Sequence, residues 1–218
     1  MVELVNVTKI YKGTERGVVN IRLKVEKGES VCIYGPTGAG KTTIMKLIYG
    51  EEEPSSGQII VNGVDVNEIS PKALARLRKG IGFVFQDLRL LMDRTIEENL
   101  MLGGMAAGIP GDALKEKVAR ALADFGMSGW GRIKVGDLSS GERKKVAVAR
   151  ALIGDPYLIL ADEPTSNLDE SSTSLVLDIL KRVNSKGATL LISTSDGRIP
   201  QMMGSRIVEI VDGKLKEG

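Results

Sequence analysis

Histidine is absent from this 218-residue sequence, and cysteine occurs once, as Cys32. The lack of histidine excludes metal sites and catalytic triads that depend on an imidazole. A single cysteine permits no internal disulfide, which either fits a reducing compartment or carries no information on the compartment. The longest apolar run, at 157–161, is far shorter than the roughly twenty residues of a bilayer span. The segment 1–4 lacks the features of a signal peptide, so we expect a cytoplasmic location.

Aromatic side chains are scarce, with one tryptophan, four tyrosines and three phenylalanines. A core with so few rings must be filled mainly by Val, Ile, Leu, Ala and Met, which is typical of a parallel sheet covered by helices. Thirty basic residues against 28 acidic ones leave a net charge of only +2. This balance shows no electrostatic footprint for nucleic acid, and we expect no nucleic-acid partner.

Strand patterns dominate both ends of the chain. Alternating apolar residues at 21–25 predict a half-buried antiparallel strand within a β-rich first sixty residues. The Asn-Gly pair at 62–63, between two apolar segments, predicts a hairpin with a type I′ turn. The Asp-Gly pair at 212–213 follows the apolar segment 207–211 and predicts a final hairpin.

Strands and helices alternate in much of the remaining sequence. A strand leads through a glycine-rich loop into a helix that Gly50 ends, and two further helix–strand pairs follow near the C-terminus. This alternation predicts a parallel core sheet with crossover connections. The elements are predicted at 30–34, 41–49, 140–153, 157–161, 175–183 and 189–193.

Helical patterns fill the middle of the chain. Thr95 with Glu98 forms a capping box that opens one helix. Asp112 is expected to cap a second helix, which ends at Gly126. The glycine-rich stretch 103–111 between the two helices predicts a loop or hinge.

These patterns together predict one domain over residues 1–218. Its α/β core, with an N-terminal antiparallel β subdomain, is expected to comprise residues of about 1–87 and 136–218. A helical subdomain is expected to be inserted at about 88–135. The predicted fold class is therefore α/β, with a parallel core sheet.

The glycine-rich stretch 35–42 matches the pattern G-x-x-x-x-G-K-[ST] between a predicted strand and a predicted helix, the context that this pattern requires. Backbone N–H groups of such a loop point at phosphate oxygens, and the helix N-terminus adds its positive dipole end. Lys41 would reach the β- and γ-phosphates of a nucleotide, and the Thr42 hydroxyl would bind Mg²⁺. The sequence therefore predicts a site for a nucleotide with Mg²⁺.

Two carboxylates, Asp162 and Glu163, directly follow the apolar strand at 157–161. The carboxyl edge of a parallel sheet is where α/β proteins bind ligands. We expect Asp162 to hold the metal and Glu163 to accept a proton from an attacking water. Taken alone, such a pair also fits a solvated turn, and the phosphate loop favours the catalytic interpretation.

Two further segments have an ordinary structural explanation beside a functional one. Ser139 and Glu142 form a capping box, which by itself only begins a helix. Gln86 follows an apolar strand at 81–85 and by itself is a polar residue at a strand end. Neither segment alone would indicate a functional site.

Five segments occur in the order found in the ATPase subunits of ABC transporters. They are the phosphate loop, Gln86, LSSGE at 138–142, LILADE at 158–163 and SNLD at 166–169. The sequence resembles this family over essentially its whole length. The resemblance implies the P-loop NTPase fold of ABC ATPases, with ATP as substrate and hydrolysis to ADP and phosphate.

In this family two subunits pack head to tail, and each ATP lies between one phosphate loop and the signature segment of the other subunit. The resemblance thus implies a homodimer on ATP binding, in which Asp169 bridges the two halves. It implies that Ser139 and Gly141 contact a phosphate of the partner's ATP. The implied signature residues are Ser139, Ser140, Gly141 and Glu142.

The resemblance also assigns roles to two isolated residues. It implies that Gln86 senses the metal and an integral membrane permease-like partner, and that Tyr11 stacks on adenine. A half-exposed strand tyrosine is the alternative for Tyr11. The implied metal ligands are Thr42, Gln86 and Asp162. The implied ATP-binding residues are Tyr11, Gly35, Pro36, Thr37, Gly38, Ala39, Gly40, Lys41, Thr42, Thr43 and Gln86.

The sequence departs from the family at two positions. The signature usually has glycine where Ser140 stands, so a side chain enters a tight approach to phosphate. The family's switch histidine corresponds to Ser195, in the segment 192–196. A serine hydroxyl is shorter than an imidazole and cannot carry its positive charge. We expect slow turnover, unless another group takes the role.

Within the family, the segments 48–57 and 85–100 look most like the cell-division branch, whose members serve a membrane protein. We expect such a subunit at the cytoplasmic face of the membrane, docking through residues 86–100. Lipoprotein-release and macrolide-export ATPases share the core motifs and remain alternatives, as does an ATP-dependent switch with little turnover. A DNA-repair or translation ATPase is disfavoured, since the chain has one cassette and no long coiled-coil insertion.

Overall fold

The structure is a computed structural model that describes residues 1–11, 13 and 17–216. Its elements alternate in the order that the sequence predicts, with two additional short helices. The strands are β1 (Val2–Ile10), β2 (Gly17–Val25), β3 (Ser30–Tyr34), β4 (Ser56–Val61), β5 (Val64–Asp65), β6 (Ile81–Val84), β7 (Leu158–Asp162), β8 (Thr189–Thr194), β9 (Arg206–Val211) and β10 (Lys214–Leu215). The helices are α1 (Lys41–Tyr49), α2 (Pro71–Arg78), α3 (Ile96–Ala107), α4 (Gly111–Asp124), α5 (Ser140–Leu152), α6 (Glu170–Ser185) and α7 (Arg198–Met203), with a 3₁₀ turn at Val135–Asp137.

Two sheets form the framework. The first has the strand order β2-β1-β4-β5 and is antiparallel, which confirms the β-rich N-terminal part. The second has the order β10-β9-β3-β8-β7-β6, in which β9 to β6 run parallel and β10 pairs antiparallel with β9. The predicted α/β fold with a parallel core sheet is confirmed.

Both predicted hairpins form, and the turn at 62–63 has the positive φ values of the predicted type I′ turn. Asn62 and Gly63 link β4 to β5 with φ of 51° and 78°, and Asp212 and Gly213 link β9 to β10 with φ of 48° and 74°. A type I′ turn requires positive φ at both central residues, and its twist matches that of the flanking strands. Local turn chemistry therefore accounts for both connections.

The parallel sheet is buried on both faces, and successive residues of β7 point to opposite sides. Leu158 and Leu160 pack with α1 and the antiparallel sheet, whereas Ile159 and Ala161 pack with the helices on the other face. A strand covered on both sides has a continuous apolar sequence, as β7 has. Among the described residues, no helix has the length and apolar character needed to cross a membrane.

The glycine-rich stretch 103–111 is mostly helical, so the predicted loop or hinge is wrong. Helix α3 continues to Ala107, and only residues 108–110 connect it to α4. A Cβ on Gly103 would lie 2.8 Å from the carbonyl oxygen of Arg150, and one on Gly104 would lie 2.1 Å from Leu114 Cδ1. These glycines let α3 approach α5 and α4 closely, and that packing outweighs their low helix propensity.

The prediction that Asp112 caps α4 is also wrong. The N-cap is Pro110, whose backbone is extended and whose carbonyl oxygen accepts a hydrogen bond from the Leu114 N–H. Asp112 lies within the first turn, where a carboxylate still stabilises the helix dipole. Helix α4 ends at Asp124, before the predicted terminator Gly126, which has a positive φ.

Candidate nucleotide-binding site

Four neighbouring parallel strands bring the phosphate loop and several other predicted site residues to one edge of the sheet. Strands β3, β8, β7 and β6 lie side by side in that order, so their carboxyl ends meet. The loops that follow them carry the phosphate loop, Ser195, Glu163 and Gln86, respectively. The register places Asp162 opposite Ser193 and thereby aligns the ends of β7 and β8. Residues from distant parts of the sequence thus surround one cleft.

The phosphate loop at 35–40 joins β3 to α1. Gly40 is the N-cap of α1 with a φ of 104°, and a Cβ there would lie 2.5 Å from Val18 Cγ1. Only glycine satisfies both constraints, because L-residues rarely adopt this φ and a side chain has no room. The loop therefore delivers the N-terminus of α1 to the cleft, as an anion-binding site requires.

Lys41 is 6% exposed and lies back over the loop. Its Nζ donates to the carbonyl oxygens of Gly35 at 2.7 Å and Pro36 at 3.0 Å, and it lies 3.5 Å from Glu163 Oε1. These contacts hold a buried cation at the mouth of the loop, with two backbone acceptors closer to its ammonium than the paired carboxylate of Glu163. The ammonium is therefore positioned to exchange backbone acceptors for phosphate oxygens.

The cleft has a volume of about 550 Å³. Its walls are formed by the phosphate loop, Tyr11, the loop after β7 and the two predicted catalytic residues, Glu163 and Ser195. The Tyr11 hydroxyl lies 3.4 Å from Thr43 Oγ1, which places that ring beside the start of α1. The lining residues are Tyr11, Gly17, Thr37, Gly38, Gly40, Lys41, Thr42, Thr43, Gln86, Glu163, Ser166, Asn167 and Ser195.

The three predicted metal ligands line an adjoining cavity of about 380 Å³. Thr42 Oγ1 lies 3.4 Å from Gln86 Oε1, and Asp162 is 1% exposed and accepts a hydrogen bond from the Ser193 hydroxyl. Mg²⁺ prefers a few oxygen ligands together with water and phosphate oxygens, so this hydroxyl, amide and carboxylate set fits it. No cluster of three His, Cys, Asp or Glu side chains that could hold a metal occurs in the described part of the chain.

Glu163 has a left-handed backbone, with a φ of 49°. Its N–H donates to the Ser193 carbonyl oxygen at 3.0 Å, and its side chain points at Lys41. Ser195 follows β8, is exposed and lines the same cleft. A carboxylate and a hydroxyl thus face the position next to the phosphate loop.

The signature segment is not among the cleft-lining residues of the described chain. Ser139 and Glu142 form a reciprocal capping box at the start of α5, and this bonding holds the pKa of Glu142 below its usual range. Ser140 is exposed, and Gly141 is half-buried. Asp169 caps α6 by accepting from the Ser172 N–H at 2.7 Å, which lowers its pKa. Within one chain these residues are helix caps, so their contact with a partner's ATP stays a prediction.

The sequence patterns assigned no role in the site to three polar residues that contact it, Lys144, Ser166 and Ser193. Lys144 Nζ donates to the Glu163 carbonyl oxygen at 3.0 Å and to Ser166 Oγ at 3.2 Å, and Ser193 donates to Asp162. Burial lowers the pKa of Lys144, and the charges of Asp162 and Glu163 oppose that shift. The sequence did contain a signal for Lys144. It lies one turn before Val148 on the apolar face of α5, where a lysine must be buried.

The one cysteine lies beneath the site and is not part of its chemistry. Cys32 is fully buried in β3, and burial together with the charge of Glu163 raises its pKa to about 12. A thiol with this pKa is neutral at physiological pH and a poor nucleophile. The chemistry of the cleft therefore depends on its lysine, carboxylate, amide and hydroxyl groups.

A glycine-rich loop between a parallel strand and a helix, with a buried lysine and a strand-end carboxylate beside it, defines a P-loop nucleotide-binding protein. The family model described as ABC transporter matches residues 18–166. The chain therefore belongs to the ABC transporter family and is an ABC-type ATPase.

Curated relatives agree with this assignment and with the resemblance to the cell-division branch. The chain is 39% identical to the cell division ATP-binding protein FtsE of Mycobacterium tuberculosis, over 99% of this chain and 94% of the relative. It is 35% identical to FtsE of Escherichia coli strain K12, over 100% and 98% of the two chains.

A solved structure shows the same fold. The ATP-binding cassette MJ0796, in a dimeric post-hydrolysis state bound to ADP and Pi, superposes with a TM-score of 0.93 at 32% identity. The alignment covers 100% of this chain and 97% of that cassette. The predicted P-loop ABC ATPase fold is thus confirmed.

Proposed function

We propose that this chain is the FtsE-like ATP-binding and ATP-hydrolysing subunit of a membrane complex that acts in cell division. It couples ATP-driven homodimerisation to an integral membrane, FtsX-like permease partner and is peripheral at the cytoplasmic face of the membrane. The names and the nearly complete mutual coverage of the FtsE relatives support the cell-division assignment. The shared cleft of Lys41, Glu163 and the metal-ligand set carries the ATPase assignment. We place one ABC ATPase domain at 1–218, with the helical subdomain at about 88–135.

Different residues of the chain bind the phosphates, the adenine and the metal ion. Lys41 exchanges its backbone acceptors for the β- and γ-phosphate oxygens of ATP, and Tyr11 stacks on adenine at the start of α1. Thr42, Gln86 and Asp162 hold Mg²⁺, with Asp162 oriented by the Ser193 hydroxyl. When bound, Mg²⁺ neutralises charge on the phosphate oxygens.

Hydrolysis requires a base next to the γ-phosphate. Glu163 is the carboxylate of the cleft that approaches Lys41, so it accepts the proton of the attacking water. The signature residues Ser139–Gly141 close the site from the second subunit, and the dimeric state of the solved cassette supports an assembly of two subunits. Asp169 bridges the two halves beside them.

A second candidate function is an ATP-dependent switch that dimerises and signals with little turnover. The exposed Ser195 favours it, because a hydroxyl at this position has a shorter reach than an imidazole and carries no charge. The intact Glu163 favours hydrolysis. The turnover of the serine protein, compared with that of Ser195→His and Ser195→Ala, separates the two candidates.

Lys41→Ala is expected to lower ATP affinity by about 10-fold to 100-fold. The variant removes the cation that lies over the phosphate loop, and hydrogen bonds to charged groups contribute about 1.5–3 kcal/mol. Titration with a fluorescent ATP analogue measures the change. Lys72→Ala, which removes an exposed lysine on α2, is the matched control and should bind normally. Unchanged affinity in Lys41→Ala would refute the assignment of the phosphate site.

The partner-docking surface is proposed on α3 and the segment before it. Four large apolar side chains are exposed there, and three of them line a cavity of about 380 Å³ with Arg94 at its rim. Leu88 and Leu90, by contrast, are half-buried. Contiguous exposed apolar residues rimmed by charge are typical of an interaction site. The four residues are Leu91, Met92, Leu102 and Met105.

Arg94→Glu is expected to abolish co-purification with the permease-like partner and to leave ATP binding intact. Arg94 pairs with Glu98 on the surface at 3.2 Å, so its reversal disturbs little within the chain. Arg89 is unsuitable for this test, because its guanidinium forms a bidentate pair with Glu51 and lies over Phe85. Arg120→Glu on α4, which breaks a comparable exposed pair with Glu116, is the control. Equal partner recovery for both variants would place the docking surface elsewhere.

A further inference from the structure

Lys144 is a buried cation on the helix that begins with the signature segment. It is 5% exposed, and lysine is rarely buried to this extent unless its ammonium has partners. Its Nζ donates to the Glu163 carbonyl oxygen and to Ser166 Oγ, both uncharged acceptors. A direct carboxylate partner would stabilise a buried ammonium more strongly than these uncharged acceptors do. The contact of Lys144 with the Glu163 carbonyl oxygen therefore requires an explanation.

The carbonyl group that Lys144 binds belongs to Glu163, a residue with a left-handed backbone. Glu163 has a φ of 49°, and such a conformation in a residue other than glycine persists only where surrounding contacts enforce it. The Ser193 carbonyl oxygen holds the N–H side of Glu163, and Lys144 together with the Ser166 hydroxyl holds its carbonyl side. These three residues enforce the conformation from both ends.

The backbone of Glu163 determines where its carboxylate points. The side chain approaches Lys41 at the phosphate loop, and a different φ would turn it away from the cleft. Lys144 belongs to α5, which begins immediately after Ser139. Its contact therefore connects the helix of the signature segment with the backbone of the catalytic carboxylate.

We propose that Lys144 is a positioning residue for ATP hydrolysis, which holds the left-handed peptide of Glu163 so that its carboxylate faces the attacking water. The proposal rests on the proposed role of Glu163 as the base. Lys144 is not among the described residues that line the cleft. Loss of the Lys144 ammonium should therefore lower kcat without weakening ATP binding.

Lys144→Met keeps an unbranched side chain that reaches Cε and removes the ammonium with its donors. Since a displacement of about 1 Å in a catalytic group costs up to about 100-fold, we expect kcat to fall by about 10-fold to 100-fold. The Kd for ATP should stay within about threefold. Lys144→Arg should recover much of the loss, because a guanidinium also donates to a carbonyl oxygen.

Two further variants separate positioning from general stability. Val148→Ala removes buried methyl groups one turn along α5 and lowers Tm, yet it should leave kcat near the unmodified value. Ser166→Ala removes the other side-chain donor to the Glu163 carbonyl oxygen, keeps the backbone N–H of residue 166 that also donates to it, and should lower kcat by about 2-fold to 10-fold, even if Lys144→Met does not fold.

A double-variant cycle with Glu163→Gln decides the matter by single-turnover hydrolysis of radiolabelled ATP. If Lys144 acts through Glu163, the Lys144→Met/Glu163→Gln protein is no slower than Glu163→Gln alone. The proposal is overturned if folded Lys144→Met keeps the full rate, if Ser166→Ala does so, or if the two losses multiply. Should Glu163→Gln itself hydrolyse ATP at the unmodified rate, the catalytic role of Glu163 fails, and the positioning role falls with it.

Discussion

Glu163→Gln is expected to hydrolyse ATP about 10²-fold to 10⁴-fold more slowly than the unmodified chain, which is the usual contribution of a general base. The amide keeps the shape of the side chain but cannot accept the proton of the attacking water. ATP binding should survive, because the phosphate loop and Lys41 are unchanged. Removing the carboxylate 3.5 Å from Lys41 also leaves that cation free to bind phosphate.

This variant should also accumulate an ATP-bound dimer, since hydrolysis no longer reopens it. Gel filtration with ATP measures the dimer, and phosphate release measures the rate. Glu170→Gln is the matched control, because Glu170 is an exposed carboxylate at the start of α6 outside the residues that line the cleft. A Glu163→Gln protein that stays monomeric with saturating ATP would contradict ATP-driven dimerisation, and one that hydrolyses normally would contradict the assignment of the base.

Ser195→His is expected to raise kcat by up to about 10²-fold to 10³-fold and to leave ATP affinity within a few-fold. One well-aligned donor to a developing charge in an active site contributes roughly 2.7–4 kcal/mol to transition-state stabilisation. Ser195 is exposed in the cleft that contains Glu163 and Lys41, so an imidazole can be accommodated there. Ground-state binding changes little, because the phosphate loop supplies most contacts.

Ser195→Ala is the control for this experiment and should hydrolyse ATP about as slowly as the serine protein. A large loss in Ser195→Ala would show that the hydroxyl itself has a catalytic role. Equal rates for Ser195 and Ser195→His would show that another group already fulfils the role of the imidazole. Low turnover in the serine protein, with normal dimerisation, would favour the switch over the steadily hydrolysing subunit.

The sequence by itself determined those features that depend on neighbours in the chain. The phosphate loop lies between a strand and a helix because the glycines of 35–40 permit a backbone that other residues resist. The turns at 62–63 and 212–213 follow from the positive φ that their residues tolerate. The capping boxes that begin α3 and α5 form within four residues each. In all these cases the deciding interactions are local.

Tertiary structure decided the features that depend on contacts between distant residues. Gly103 and Gly104 are helical because α4 and α5 pack against them, although their local propensity favours a loop. The strand order β3-β8-β7-β6 brings Gln86, Glu163 and Ser195 to the cleft of Lys41, and a sequence pattern contains no information on that order. Lys144 is bound to Glu163 because α5 packs below the loop after β7. Local sequence patterns therefore identify the groups that bind phosphate. Only the strand order and the packing of helices on the sheet determine which other side chains lie beside those groups.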